Sequence, residues 1–437
     1  MKRGIISIAL SVGVGMAQLP AQEGTIYSLS LEQAVEMGLN NHQQLKIAQT
    51  RLQVSDEQIR VSKSQQLPSV SFSANAFYLG DALLLDTDLS KVATVDMPHF
   101  GNSFGLQASQ LLYKGGIIKK SIEMAELQKQ LAELDLVANE QDIKFLVISN
   151  YLDICKLINQ TQVLEQNKIL AEQLHDNISR LYGEDMITRN EVIRAELLIK
   201  NLNQVILTMK NNHAILSNRM SYALGLPNDI LIMPVENLNA DIRMQSQGYY
   251  ADIAVENHPA LRSAAKNIEI AEMNIGIQRT NKFPSLSAFA GYNMQRPLTS
   301  STPIMDMYNN TWQAGISLNF NIDQLFKAER QVNMSRTQAN MSREAFTFVQ
   351  QNVEIGVNAA YLKCIEAEQQ ILLMDESKKL AEENYEIVRN KYLNQLAITA
   401  EMTDASNAKL NVELEYANAV INAMFQYYNL MKSTGNL

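Results

Sequence analysis

The sequence predicts a mainly helical chain with a membrane β-barrel portion, built as a tandem repeat. Three observations predict it: a doubled pattern of residues, four uncharged segments that alternate with period two, and heptad helices far longer than a globular core uses.

The doubling is explicit. Asn41-His42, Leu45, Ala48, Ile59, Pro68, Ser69 and Ser71 recur 216 positions later as Asn257-His258, Leu261, Ala264, Ile275, Pro284, Ser285 and Ser287. From Gly105 onward the shift is 210, pairing Gly105 with Gly315, Tyr182 with Tyr392, Glu191 with Glu401, and Gly225 with Gly435. The change of shift places a length difference between Ser71 and Gly105, in a segment that tolerates insertion and is therefore a loop.

At the N-terminus, Lys2 and Arg3, the apolar run Gly4 to Val14 and a small-residue cleavage site at Gly15-Met16-Ala17 or Leu19-Pro20-Ala21 have the form of a secretory signal. The alternative, a retained membrane anchor, would need about 20 apolar residues. Elsewhere no apolar run is long enough for a spanning helix, which leaves a barrel wall open because alternating strands keep hydropathy ordinary. Net charge is −9, becoming −11 without Lys2 and Arg3, so an acidic exported chain is a poor nucleic-acid binder. Cys155 and Cys364 fall in helical patterns and are not repeat-equivalent, which excludes a disulfide framework and favours buried helix positions.

The first repeat opens with a helix over Leu29 to Gln66, with Ser30 as N-cap, a break at Asn40-Asn41-His42 and a stop at Pro68. Then Val70, Phe72, Ala74, Ala76 and Tyr78 alternate with small polar residues, as do Phe104, Leu106, Ala108 and Leu112. The second repeat does the same with Leu286, Ala288, Ala290, Tyr292 and Met294, then Trp312, Ala314, Ile316, Leu318 and Phe320. Ten residues at about 3.3 Å each and a tilt near 45° span roughly 23 Å, close to the apolar band of an outer-membrane barrel. A soluble two-sheet sandwich also alternates, but its polar faces normally carry Lys and Glu, and these four strands carry no charge. The outward, lipid-facing set is therefore Phe72, Tyr78, Leu106, Ala288, Tyr292, Trp312, Ile316 and Phe320. Four strands cannot close a barrel, so several copies are required; two would give eight strands and three would give twelve, the size that leaves a useful channel.

After Gly115-Gly116 a seam of Leu127, Leu131, Leu134, Ala138, Gln141, Phe145, Ile148, Leu152 and Cys155 alternates by four and three. A break at Tyr182 to Ile187 precedes a returning helix with its own seam, Val192 to Ala223, which stops at Gly225-Leu226-Pro227. The chain thus divides into a signal peptide over 1–21 and a first repeat over 22–226, with strands 70–79 and 103–112 and a helical hairpin over 115–225. A linker over 227–248 follows, then a second repeat over 249–437 with strands 285–294 and 311–320 and a hairpin over 324–432.

Strand pairs interrupting long helical hairpins, twice per exported chain, resemble the outer membrane efflux protein family, the TolC-like exit ducts. The hairpin tips carry the most specific likeness: Leu181-Tyr182, Asp185, Ile187-Thr188, Glu191 and Ala195, then Lys391-Tyr392, Gln395, Ala397-Ile398, Glu401 and Ala405. Leu111 to Gly116 resembles the family's strand-to-helix junction, and Asn257-His258-Pro259 is a third shared element.

The resemblance implies a homotrimer: a twelve-strand barrel in the outer-membrane lipid of a Gram-negative bacterium, continuous with a periplasmic α-barrel. It implies a passive exit duct for an efflux or type I secretion system, partnered by a periplasmic adaptor and an inner-membrane pump of RND or ABC type. Tyr182, Gly183, Asp185, Thr188, Tyr392, Gln395 and Ala397 would form the hairpin tips and adaptor contact, and Glu401 with Asp404 would ring the periplasmic constriction. Acids three apart share a helix face, and gathering them around a narrow neck would favour cations; a solvated acidic face is the simpler reading of the same pair. Ala397 departs from gated members that have a basic residue there, which removes a salt-bridge latch from the expectation.

No cofactor is expected and no enzyme: the histidines His42, His99, His175, His213 and His258 fall in no metal or nucleophile motif. The competing class is an exported coiled-coil scaffold or adaptor without a pore, which would be soluble and monomeric without detergent.

Overall fold

The computed structural model describes residues 25–235, 244–301, 304–394 and 396–437. The expected signal segment over 1–21, residues 236–243 of the expected linker, and Gln395 lie outside the described residues.

The first half runs β1 (Thr25–Leu29), α1 (Leu31–Asn41), α2 (Gln43–Ser64), β2 (Ser69–Tyr78), β3 (Ala82–Leu85), β4 (Lys91–Val95), β5 (Phe100–Tyr113), α3 (Ile117–Gly183), α4 (Arg189–Leu224) and β6 (Ile230–Pro234). The second runs α5 (Gln247–Asn257), α6 (Pro259–Arg279), a 3-10 turn (Thr280–Lys282), β7 (Ser285–Arg296), β8 (Asn309–Asn319), α7 (Gln324–Leu393) and α8 (Thr399–Ser433). With 67 residues in α3 and 70 in α7, each long helix extends about 100 Å at 1.5 Å per residue.

Local chemistry sets the boundaries. Ser30 caps α1 reciprocally with Gln33, each accepting the other's backbone N–H at 3.2 Å. His42 ends α1 and starts α2, its Nδ1 accepting from the Gln44 N–H at 3.2 Å; His258 does the same between α5 and α6 through Ala260, also at 3.2 Å. Gly225 ends α4 with φ +72, a left-handed conformation that glycine adopts without steric cost.

Four strands form one antiparallel sheet in the order β2-β5-β7-β8, leaving β2 and β8 as open edges. The long loop after β2 folds into its own β3–β4 hairpin. In the helical part, α2, α3, α6 and α7 lie side by side below the sheet, and α4, α3, α8 and α7 do so toward the tips. The largest core cluster sits where α1, α2, α3, α4, β1 and β6 meet, around Leu29, Leu45, Val147, Tyr151, Leu224 and Ile232. Fully burying side chains of this size contributes about 1.5–3 kcal/mol each. In the seams, Leu134, Ile148, Leu152 and Cys155 of α3 and Ala195, Leu202, Ile206, Met220 and Ala223 of α4 are buried. Cys364 packs its Sγ 3.4 Å from Met244 Sδ, and burial ahead of the nearby Glu368 charge pushes its thiol up to about 11.

Three expectations need correction. Leu29 does not start a helix; it ends β1, which pairs in parallel with β6, so the stretch expected as linker contains a strand. Two five-residue strands are too short to show a period, and their partnership spans some 200 residues of chain. Leu112 has no place in the regular pairing of its strand. A bulge between Leu111 and Tyr113 shifts the register, and Tyr113 instead pairs with Leu286. Phe320 lies one residue beyond the end of β8.

Candidate functional site

Two regions carry the residues singled out by the sequence: the two faces of the sheet and the hairpin tips. Strand register assembles the first. Phe72 pairs with Leu106, Leu106 with Tyr292, and Tyr292 with Trp312, so four residues from four strands form one row. The next row is Val70, Ala108, Ala290 and Ala314, and beyond it Gln110, Ala288 and Ile316 align; Gln110 is a polar exception at this end of the face, and Asn102, Arg296 and Asn310 are polar at the loop end. Phe72, Tyr78, Leu106, Tyr292, Trp312, Ile316 and Phe320 are all exposed, Trp312 at 79%. A contiguous exposed apolar face of this extent marks an interaction or membrane surface.

The opposite face is polar and uncharged. Ser73, Gly105, Asn293 and Thr311 form one row; Ser71, Gln107, Gly291 and Gln313 form the next. Its two aromatic exceptions each cover a glycine on the paired strand: Phe77 lies over Gly101, and the Phe289 ring lies 3.1 Å from where a Gly315 β-carbon would be. The rings shield backbone that the glycines leave bare.

The tips are built alike and finished differently. Met186 N–H donates to Leu181 O at 3.0 Å, and Leu396 N–H donates to Lys391 O at 2.8 Å, the same bond 210 residues on. Asp185 takes φ +55, a conformation Asp tolerates better than most side chains. Gly183 ends α3 and exposed Thr188 precedes α4 as its N-cap residue. Tyr182 is 41% exposed whereas its repeat equivalent Tyr392 is 8% exposed, packed with Ile178, Tyr385 and Met402, and with Ala397 against the same cluster. The Tyr392 hydroxyl lies 3.5 Å from the Thr399 hydroxyl. Burial, the largest influence, raises the Tyr385 phenol, and Lys409 Nζ sits 4.7 Å from its ring centroid.

Glu401 and Asp404 are both exposed at the start of α8. Glu401 Oε2 accepts from the Ile398 N–H at 3.4 Å, a weak N-terminal cap. Asp404 lines a groove between α4 and α8 whose floor includes Leu164 and Leu202 and whose other wall carries Arg194. Arg194 is the repeat equivalent of Asp404, so one groove holds the two diverged members of a pair. Sequence reasoning missed Glu191 as a site residue. Its Oε2 is buried without a hydrogen-bond partner among the described residues, in a hollow shared with Thr188, Tyr392, Ala397 and Thr399. Its equivalence to Glu401 was the available signal. Among the described residues no His, Cys, Asp and Glu cluster could hold a metal ion.

The outer membrane efflux protein family model matches residues 34–226 and 251–436, one match per repeat. The chain belongs to the outer membrane efflux protein family. This efflux-family chain is 22% identical over 417 residues to the outer membrane efflux protein BepC of Brucella suis biovar 1 (strain 1330), covering 94% of this chain and 86% of that protein. Among solved structures, CusC matches with a TM-score of 0.78 at 16% identity, covering 97% of this chain and 96% of that one. The outer membrane protein VceC of Vibrio cholerae matches with a TM-score of 0.74 at 15% identity, covering 93% and 96%. The fold is therefore TolC-like, an α-helical portion joined to a β portion, and the family's members are outer-membrane efflux proteins rather than enzymes.

Proposed function

We propose that three copies of this chain close a twelve-strand barrel in the outer membrane, continuous with a helical duct. Through it solutes would leave, driven by an inner-membrane pump and handed over by a periplasmic adaptor. The observation that carries this is the open-edged sheet with one apolar and one uncharged polar face, on a helix layer that is also unfinished. Along α7, Met334, Met341, Phe348, Ile355 and Leu362 are exposed at seven-residue spacing, and Leu373, Leu380 and Ile387 continue the stripe after an offset of eleven. An exposed heptad stripe calls for a partner helix.

Internal symmetry says which. The helix α3 packs on α6 and α8 of the other repeat. By repeat equivalence α7 would pack on α2 and α4, which stand at the far edge of the same layer, so the neighbours must come from the next copy. On α2, Ile47, Val54 and Val61 are exposed at matching seven-residue intervals. In the same way β8 would pair with β2 of the next copy. The tips at Tyr182, Gly183, Asp185, Thr188, Tyr392, Gln395 and Ala397 would then form the adaptor-facing end, with Glu401 and Asp404 supplying six carboxylates to its neck.

The test is mass in detergent by light scattering, together with conductance in planar bilayers. Three copies per particle and ohmic channels are the expected outcome. A detergent-free soluble monomer without conductance would sink the reading.

A further inference from the structure

We infer that the junction between sheet and helices is a basic collar that binds anionic phospholipid headgroups of the leaflet on the helix side; this rests on the lipid-facing reading of the apolar sheet face. Charge gives the first indication. The chain carries −9, yet the ten residues adjoining the helix-side end of each long strand hold eight cations against three acids, a surplus of five. In the first repeat these are Arg60 and Lys63 before β2, and Lys114, Lys119 and Lys120 after β5, against Glu123. In the second they are Arg279 and Lys282 before β7, and Lys327 after β8, against Asp323 and Glu329. At the opposite end of the sheet the loop over 79–99 holds four aspartates and one lysine. The sheet is thus polarised, and only one end matches an anionic surface.

Placement gives the second. Tyr113 shares the row of Leu286 and Leu318 on the apolar face, and its ring meets Phe283 edge-on at 6.5 Å. Lys114 and Lys282 are the adjoining residues, so cations follow directly where the apolar face stops. A shallow groove there is lined by Gln110 and Tyr113 of that face together with Lys114 and Lys119. At the start of α7, Ile322, Leu325 and Phe326 are exposed, Phe326 at 78%, next to Lys327. Aromatic and aliphatic groups at the depth of the acyl boundary, with cations reaching past them, is the arrangement in which long basic side chains contact headgroups. Lys63, Lys114 and Arg279 make no ion pair among the described residues, so their charge is available to a ligand. The collar continues the proposed lipid face without a gap, and its charge selects anionic headgroups over zwitterionic ones. Each cation near such a surface favours the anionic lipid by about fivefold.

The experiment uses the full chain in nanodiscs of phosphatidylcholine with about a quarter phosphatidylglycerol, extracted gently and examined for retained lipid by native mass spectrometry. We expect the ratio of retained phosphatidylglycerol to phosphatidylcholine to exceed the bulk ratio by about fivefold. The K114Q/K119Q/R279Q variant should fall to the bulk share while Lys91→Gln, in the loop at the other end, retains the enrichment. Circular dichroism checks folding, and Lys63→Gln with Lys327→Gln serves as a second variant if the first misfolds. Wild-type retention at the bulk share, or enrichment unchanged in both collar variants, would overturn the collar while leaving the membrane reading intact. Displacement of the lipid by soluble glycerol phosphate would mark a small-anion site and overturn it too. Failure to enter nanodiscs of either composition would remove the lipid-facing reading, and the collar with it.

Discussion

Gly435 closes α8 directly against His258: a β-carbon at Gly435 would lie 2.6 Å from His258 Cα and 3.0 Å from its amide nitrogen. Its repeat equivalent Gly225 meets Asn41 in the same way, at 3.0 Å from the side-chain Cβ, and both glycines hold φ +72. Each hairpin thus returns its end to the kink of its own first helix pair. We expect Gly435→Ala to cost about 2 kcal/mol, from left-handed strain of about 1–2 kcal/mol plus displaced backbone. Gly225→Ala should cost less, since its nearest contact would be 3.0 Å rather than 2.6 Å. Urea unfolding in detergent measures both, and a neutral Gly435→Ala would count against the packing.

Acidification should loosen the two kinks. Burial lowers the pKa of His42 and of His258 below the ordinary 6.5, and each Nδ1 must stay unprotonated to accept its backbone N–H. Because the folded values lie below the unfolded ones, the unfolded chain takes up protons first. Stability is then full above about pH 6.5 and falls as pH drops from there through the folded values. The double variant His42→Asn, His258→Asn keeps a capping side chain without the titration. Its melting temperature should depend less on pH between about 5 and 7; an unchanged slope would assign the acid sensitivity elsewhere.

Charge should be tolerated on one face of the sheet only. Ala314 lies in the central row with Val70, Ala108 and Ala290, whereas Gln313 lies opposite with Ser71 and Gln107. Ala314→Arg should destabilise the folded, membrane-inserted protein by about 2–4 kcal/mol if that face meets lipid, and Gln313→Arg by much less. Folded yield into lipid vesicles compares them. The chain's one tryptophan, Trp312, provides an independent readout, since brominated lipid should quench it. Equal yields for the two variants would reverse or erase the assigned faces.

If the polar face lines the lumen, that lumen carries no fixed charge over the paired rows, and the acids at the tips become candidates for charge selection. Glu401→Gln with Asp404→Asn removes both charges while keeping an acceptor for the Ile398 N–H. Block of single-channel current by divalent cations should weaken several-fold. Unaltered block would take both acids out of the constriction, leaving Glu191 as the carboxylate to test next.

Much of the fold was legible because its signals are local. Period two in Val70 to Tyr78, heptads in Leu127 to Cys155, and the 216 and 210 shifts are properties of one segment or of a comparison between two. The bulge at Leu112 was not legible, since an extra residue is visible only against the strand it fails to match. Of the tips, Tyr182 and Tyr392 look alike in sequence and differ in burial, because only the second meets the cluster around Met402.

The sequence by itself determined which residues alternate, which repeat, and that four uncharged strands could not close alone. The tertiary structure alone decided that β1 lies parallel to β6, that β5 and β7 join the two hairpins into one sheet, and that Arg194 faces the groove of Asp404. The reason is range. Periodicity records how one segment divides its own side chains between two environments. Pairing depends on which distant surfaces remain unsatisfied once every segment has done so.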